Sequence, residues 1–208
     1  MSLGQRLSAF SGEAAQSDRL IAHAHQMGSG KKMLFPLVDR EQITVAAFLN
    51  LYIAWESFLE SCLIEFMVGS NTLSGVPPIR NVCPADEECA RAIVKGCRGY
   101  FDYGNPESVK TTVNVYFANG YPFEPPLSQI NQDLFDLRTM RNSAAHITTS
   151  TQNGLEKVAQ QVFLGVPKPR IRLYTLLMSL DRRQKQPSTV YTYFRDRLLT
   201  TAQLIVTG

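Results

Sequence analysis

The chain has 208 residues, of which 44% are hydrophobic and 19% are charged, and its formal net charge is +3. This length indicates a single domain, and the hydrophobic fraction is large enough for a buried core, which excludes a disordered protein. The pI of about 8.7 argues against a strongly basic nucleic-acid-binding domain, for which a pI above about 9 is usual. Arginine outnumbers lysine by 14 to 7, and the charged fraction is below the usual value of about 25%. Both features favour a surface that contacts phosphate groups or a partner.

The cysteines and histidines do not have the spacing of a metal site. None of Cys62, Cys83, Cys89 and Cys97 belongs to a C-x-x-C pair, and the chain has three histidines, so we expect no metal and no cofactor. Cys89 and Cys97 are too far apart on one predicted helix to form a disulfide with each other. The N-terminus has no apolar signal segment, and no apolar run has the length of about 18 residues that a membrane span requires. We therefore expect a reduced, cytoplasmic protein.

Apolar residues recur at helical spacing in eight segments, which Gly, Pro and Asn separate. The predicted helices span residues 1–27, 40–68, 83 to about 96 or 100, 105–118, 128–146, 155–164, 170–178 and 188–206. Residues 170–178 begin with a strand-like alternation of basic and apolar residues, and we interpret them as a helix because a continuous apolar run follows. Six to eight helices with short connectors predict an all-α helical bundle. We expect a single domain over residues 1–208. Its core lies at about residues 40–165, and the N-terminal helix and a helical C-terminal extension pack on that core.

Three connections between these helices carry specific expectations. Cys83-Pro84, followed by acidic residues, predicts a helix start, because proline suits the first turn and acids favour the positive end of a helix. Pro125-Pro126 predicts a rigid break, and Ser128 is placed to cap the helix that ends at about His146. Residues 148–153 are polar and predict a turn.

The stretch Arg138–His146 combines the residue types that phosphate chemistry needs, in the pattern Arg141-Asn142-Ser143-Ala144-Ala145-His146. The planar fork of an arginine clamps a phosphate, and histidine is the side chain that titrates near neutral pH. Asn142 and His146 are four residues apart and share a helix face, so the amide can orient the imidazole. The sequence therefore predicts a metal-independent site with Arg141, His146 and Asn142 as its catalytic residues.

Each of these residues also has a structural interpretation. Arg141 can be a solvated or ion-paired helix arginine beside Asp133 or Asp136, and Asn142 can be a C-cap or a surface amide. His146 can be a helix C-terminal histidine that interacts with the macrodipole. The spacing alone is weak evidence, because Arg19 and His25 give a second match of the same type. We interpret that match as accidental, and His23 and His25 as helix-surface residues.

Arg141-Asn142-Ser143-Ala144-Ala145-His146 resembles the R-x4–6-H motif of the HEPN superfamily, in which a polar residue often follows the arginine. Residues 55–63, Trp-Glu-Ser-Phe-Leu-Glu-Ser-Cys-Leu, resemble the long early helix of those domains. The resemblance covers roughly residues 40–165. It implies a helical bundle, a tendency to dimerise and, for many members, endoribonuclease activity in toxin–antitoxin and phage-defence systems. Relatives often place Gly soon after the histidine, whereas Ile147-Thr148 follows here, so we expect a different loop.

Several charged residues are candidates for a supporting role. Glu56 and Glu60 stand four apart on the longest predicted helix; they are either solvated acids or a charge partner that holds Arg141 or His146 in place. Arg138 lies one turn before Arg141 and either adds positive field or is a surface residue. The basic run 182–185 either contacts an RNA backbone or forms a solvated loop.

Two classes of function fit these observations. The first is a metal-independent endoribonuclease in which the ribose 2′-OH attacks the adjacent phosphate, with RNA as substrate and, by family analogy, an antitoxin protein as partner. The second is a non-catalytic helical module that binds RNA, a nucleotide or a protein, since fold alone does not give function.

Arg141 and His146 raise a geometric difficulty that bears on oligomeric state. They are five residues apart, so on an ideal helix with ~100° per residue their side chains point about 140° away from each other. Either the helix ends near Ala145, or a second copy completes the site across a twofold axis. We expect a homodimer with a composite site.

Overall fold

The computed structural model describes residues 2–146 and 148–208, and within these residues it is 68% helical and contains no strand. The all-α fold class is therefore confirmed. The described chain forms nine α-helices: α1 Leu3–Ala24, α2 Leu37–Met67, α3 Glu87–Lys95, α4 Pro106–Tyr116, α5 Glu124–Gln129, α6 Asn131–Ala145, α7 Thr149–Val162, α8 Leu173–Met178 and α9 Val190–Thr207. Met1, at the start of the first predicted helix, and Ile147, in the loop after the motif, lie outside the described residues.

The start of α3 differs from the prediction because a different residue caps it. The helix begins at Glu87, and the side chain of Asp86 accepts a hydrogen bond from the backbone N–H of Cys89 at 2.8 Å. Cys83 and Pro84 lie before this cap. Asn105 caps α4 in the same way, and Pro106 occupies its first position, as the sequence predicted.

The prolines at 125 and 126 do not break the chain but lie in the first turn of α5. Proline is tolerated there because the first N–H groups of a helix have no intrahelical partner. Ser128 therefore belongs to α5, where its hydroxyl donates to Glu124 Oε1 at 2.6 Å. The prediction that Ser128 caps the motif helix is wrong, since α6 begins at Asn131.

Residues 149–153, predicted as part of a turn, form the first turns of α7. Thr148 and Thr151 make a reciprocal capping box: the Thr151 N–H donates to Thr148 Oγ1 at 3.2 Å, and the Thr148 N–H donates to Thr151 Oγ1 at 3.0 Å. These two bonds satisfy donors that a helix start leaves unpaired, so a polar segment without apolar periodicity still begins a helix.

The helices are divided between two compact units. Unit one comprises residues up to Ser11, Trp55–Phe135 and Arg197–Gly208. Its core contains an aromatic cluster in which the Phe10 ring lies 5.8 Å from Trp55 and 5.3 Å from Phe58. Beside this cluster, Arg6 Nη2 of α1 donates to Glu65 Oε1 of α2 at 2.6 Å.

Unit two comprises Gly12–Ala54 and Asp136–Asp196, and it contains the motif. Arg195 of α9 forms an ion pair with Asp18 of α1, and Tyr191 of α9 is buried. Leu176 and Leu177 of α8 are fully buried. The motif residues are thus attached to a packed helical scaffold.

Helix α2 is long and apolar enough to cross a membrane by length and composition, with a mean hydropathy of 1.2 in its most apolar window. Within the structure 56% of that window is buried, and a core helix of a soluble protein passes the same test. The length and composition of α2 therefore do not distinguish a membrane-spanning helix from a buried core helix. Cys62 is buried on this helix, whereas Cys83, Cys89 and Cys97 are exposed, and all four are free thiols. Burial raises the pKa of the Cys62 thiol well above its ordinary value, against the opposing effect of the nearby Arg6 charge.

Candidate active site

The predicted catalytic residues lie at the C-terminal end of α6. Arg141 and Asn142 are half-buried in its last turn, and His146 is exposed directly after the helix ends at Ala145. Arg141 Nη1 donates to Asn142 Oδ1 at 3.2 Å. This hydrogen bond ties the amide oxygen to the guanidinium and leaves the amide N–H₂ group of Asn142 as a donor.

Arg141 forms no salt bridge with any residue in the described part of the chain. Of the two acids that sequence reasoning placed near it, Asp133 accepts from Arg197 Nε at 2.9 Å, and Asp136 lies 3.8 Å from Arg183 Nη1. The guanidinium therefore keeps donors for an anionic ligand. A clamp for phosphate needs this property.

The backbone of His146 is fixed on both sides while its imidazole is exposed. Its N–H donates to the Asn142 carbonyl at 3.0 Å, and its own carbonyl accepts from the Thr151 hydroxyl at 2.5 Å. The first bond continues the helical ladder one residue past α6, and the second joins His146 to the capping box of α7. A two-helix junction thus holds the histidine.

The predicted supporting residues fall into both units. Arg138 is half-buried on α6 in unit two, one turn before Arg141. Glu56 and Glu60 lie in the unit-one part of α2. Glu60 Oε1 accepts from Arg91 Nη1 of α3 at 2.8 Å, and Glu56 is half-buried. The partner that the structure gives Glu60 is therefore on α3 and not at the motif.

The second Arg–His match is built differently. Arg19 and His23 are exposed on α1, but His25 is half-buried, and its ring stacks on Tyr174 with 6.0 Å between ring centroids. His25 Nδ1 lies 2.8 Å from the Ile21 carbonyl, and Nε2 lies 3.2 Å from the Tyr174 hydroxyl. The interpretation of His25 as an ordinary surface residue is wrong, because both ring nitrogens have partners.

The basic run 182–185 is not a solvated loop throughout. Arg183 Nη2 pairs with Asp181 Oδ2 at 2.6 Å, and its guanidinium lies over the Tyr193 ring at 4.9 Å. Burial alone would lower the pKa of Arg183, but the hydrogen bond and the charge of Asp181 raise it above its ordinary value. Arg183 therefore has a structural role in unit two.

A groove that sequence reasoning missed lies beside the motif in unit two, with a volume of about 500 Å³. Ser143 and Ala144 of the motif line it, whereas Arg141, Asn142 and His146 do not. Arg172 Nη1 donates to Glu41 Oε2 at 2.8 Å at this groove. The contributing residues come from four separate stretches of sequence, so no local pattern could have revealed them.

In the described part of the chain, no group of three or more His, Cys, Asp and Glu side chains is arranged to hold a metal ion. Comparison with protein-family models, with curated proteins and with solved structures finds no match for this chain. The fold and the local geometry of the motif are therefore the findings on which a function can be argued.

Proposed function

We propose that the protein is a metal-independent endoribonuclease of the HEPN type, with Arg141 and His146 as catalytic residues and Asn142 beside them. The observation that carries this proposal is the end of α6. There the guanidinium of Arg141, which forms no salt bridge within residues 2–146 and 148–208, is hydrogen-bonded to the amide oxygen of Asn142, and an exposed imidazole follows on a fixed backbone.

These groups support a transesterification. The imidazole of His146 removes the proton of a ribose 2′-OH, whose oxygen attacks the adjacent phosphorus. Arg141 stabilises the negative charge that develops on the phosphate oxygens. The P–O5′ bond breaks, the 5′ oxygen takes up a proton, and the products are a 2′,3′-cyclic phosphate and a 5′-OH end. DNA lacks the attacking hydroxyl, so RNA is the substrate.

The test is an assay on single-stranded RNA in the presence of EDTA, with a matched oligonucleotide that carries 2′-deoxyribose at the cut position. We expect cleavage in EDTA, 5′-OH termini by end-labelling and resistance of the deoxyribose substrate. Activity that EDTA removes and Mg²⁺ restores contradicts the mechanism.

The alternative is a non-catalytic module that binds RNA, a nucleotide or a protein. The observation that favours it is the groove in unit two, which offers a binding surface without using Arg141 or His146. RNA that is bound but left intact by both the wild type and His146→Ala supports this alternative. An antitoxin partner, a homodimer and a cytoplasmic location belong to the proposal for the nuclease, and the antitoxin rests on the resemblance alone.

A further inference from the structure

The groove in unit two is the part of the molecule that the proposed reaction leaves unexplained. Its volume of about 500 Å³ falls within the range of roughly 300–1,000 Å³ that is usual for small-molecule sites. Apolar side chains from α2, α7, α8 and the segment before α8 line it: Val45, Ala46, Leu49, Leu155, Ile171 and Leu173. An apolar ligand body can pack against these walls.

Glu41 supplies the negatively charged group of the groove, and one of its oxygens has no hydrogen-bond partner among the described residues. Oε2 accepts from Arg172 Nη1 at 2.8 Å, while Oε1 is buried and accepts no hydrogen bond from that part of the chain. The side chain is 19% exposed. A buried carboxylate oxygen without a donor is unfavourable. Because the terminal torsion of glutamate is soft, a small rotation lets Oε1 meet a donor placed in the groove.

Three further side chains at the groove have already used their donor hydrogens inside the protein. The Ser143 hydroxyl donates to the Met140 carbonyl at 2.7 Å, so its oxygen can only accept. The Gln152 amide nitrogen donates to Glu156 Oε1 at 3.0 Å and to the Ile171 carbonyl at 3.2 Å, which leaves its Oε1 as an acceptor.

The Tyr174 hydroxyl has also used its donor hydrogen inside the protein, in a hydrogen bond with His25. The Ile21 carbonyl can only accept, so Nδ1 of His25 carries the hydrogen in the neutral imidazole. Nε2 is then an acceptor, and the Tyr174 hydroxyl donates to it at 3.2 Å. The oxygen of Tyr174 can therefore only accept a further bond. Glu41, Ser143, Gln152 and Tyr174 thus present acceptor oxygens at the groove, whereas Gln42 and Arg172, which also line it, carry N–H donors.

We propose that this groove binds a small neutral ligand that has an apolar ring and N–H donors on its edge, as an amino-substituted heteroaromatic base has. The acceptor oxygens of Glu41, Ser143, Gln152 and Tyr174 match donors on the ligand, and the apolar walls match an apolar body. The ligand is neutral because Arg172 already balances the charge of Glu41. The inference does not depend on RNA cleavage.

Such a ring can come from a free nucleoside or from an unstacked base of single-stranded RNA. Binding is measured by calorimetry with 2-aminopurine riboside and with purine riboside, which lacks the amino group. A third titration uses a single-stranded DNA oligonucleotide that contains one 2-aminopurine, so that cleavage by 2′-OH attack is impossible.

We expect 2-aminopurine riboside to bind at least about tenfold more tightly than purine riboside, the effect of one hydrogen bond to a charged group. A preference for the oligonucleotide over the riboside assigns the base to a nucleic-acid strand, and the reverse assigns it to a free nucleoside.

Two variants separate a ligand role from a structural one. Glu41→Gln is expected to weaken binding of the amino ligand about tenfold or more, while thermal unfolding of the free protein changes little, because the ion pair of Glu41 with the exposed Arg172 contributes little to stability. Ala46→Phe replaces an exposed wall residue and is expected to fill the groove and abolish binding. The matched control is Glu13→Gln, which replaces an exposed carboxylate on α1, away from the groove, and is expected to leave binding unchanged.

Equal binding of the two ribosides overturns the proposal, as does an absence of binding in all three titrations. Binding that survives Ala46→Phe places the ligand elsewhere. A Glu41→Gln variant that unfolds at lower temperature and still binds normally shows that Glu41 is structural, which also overturns the proposal. None of these outcomes depends on RNA cleavage in EDTA, so the proposal for ligand binding and the proposal for the nuclease are tested independently.

Discussion

At the scale of single residues, the side chain of Arg141 is held by a hydrogen bond to the neighbouring amide of Asn142. Arg141 Nη1 holds Asn142 Oδ1 at 3.2 Å and leaves its other N–H groups for a ligand. Lysine carries the same charge but has no planar fork, so it cannot satisfy the amide and clamp a phosphate together. The proposed phosphate contact therefore depends both on arginine at position 141 and on its hydrogen bond with Asn142.

We predict that Arg141→Ala and His146→Ala each lower RNA cleavage by at least about 10²-fold, without loss of helical circular dichroism. This is the usual contribution of a general acid or base for His146 and of one charge-stabilising donor for Arg141. Arg141→Lys is expected to lower cleavage at least about tenfold, because one charge-assisted hydrogen bond is lost. Rates are measured on one labelled single-stranded RNA.

Arg19→Ala is the control, since Arg19 is exposed on α1. His25→Ala is not a neutral control, because His25 stacks on Tyr174. A His146→Ala variant that cleaves at the wild-type rate removes histidine from the mechanism.

At the scale of helices, the capping box of α7 contacts the backbone of His146, the proposed catalytic histidine. Thr148→Ala removes the side chain that accepts from the Thr151 N–H but keeps the Thr151 hydroxyl, which donates to the His146 carbonyl. Thr151→Val removes that hydroxyl. We predict that each variant loses about 1 kcal/mol of stability, as is usual for a lost cap, in urea unfolding.

The two variants are expected to differ in activity. Thr151→Val lowers kcat because the His146 carbonyl loses its partner, whereas Thr148→Ala keeps the wild-type kcat. KM stays the same in both, since neither residue is proposed to contact RNA. An equal kcat for the two variants contradicts a positioning role of Thr151.

A second prediction for the helices concerns pH and the contact between α1 and α2 in unit one. Burial of the Glu65 carboxyl would raise its pKa, but hydrogen bonds from Arg6 and Ser70 outweigh burial and lower the pKa below its ordinary value of 4.5. The stabilisation is therefore present above about pH 4.5 and is lost as the pH falls through the lowered pKa.

Urea unfolding between pH 7 and pH 3 measures this effect. We expect the free energy of unfolding of Glu65→Gln to fall less steeply below about pH 4.5 than that of the wild type. The exposed Glu13→Gln variant is expected to follow the wild type. A Glu65→Gln curve parallel to the wild type shows that another group carries the acid sensitivity.

The sequence predicted the helices that have strong local signals. α4 follows from Asn105 and Pro106 at its start, and α2 from its length and apolar stripe. α5 was missed because two prolines in a first turn are indistinguishable from a break. Two turns of α7 were missed because its start depends on hydrogen bonds between Thr148 and Thr151 rather than on apolar periodicity.

The candidate site was predictable to a similar extent. Arg141, Asn142 and His146 are close in sequence, so the motif could be found, and so could the alternative that its helix ends near Ala145. The pairing of Glu41 with Arg172 joins residues 131 positions apart. A contact of that separation is set by tertiary packing and leaves no local trace in the sequence.

At the scale of the whole molecule, we propose that the nuclease is a homodimer with a composite site. Sedimentation at micromolar concentration is expected to give about twice the chain mass of 23.3 kDa. Mixing inactive Arg141→Ala with inactive His146→Ala is expected to restore part of the cleavage, because a mixed dimer has one site with both wild-type residues. A fully active monomer would contradict the composite site.

Because Cys62 is buried, the reactivity of its thiol can report on unfolding of the chain. Thiolate is the form that reacts with disulfide reagents, and burial both raises the pKa of Cys62 and blocks access to it. A colorimetric disulfide reagent is expected to modify Cys83, Cys89 and Cys97 rapidly in the native protein and Cys62 only at the rate at which α2 becomes exposed. After the exposed cysteines are replaced by serine, the slow phase measures the opening of the core without any introduced probe. A fast reaction of Cys62 under native conditions would show that the core around α2 opens readily.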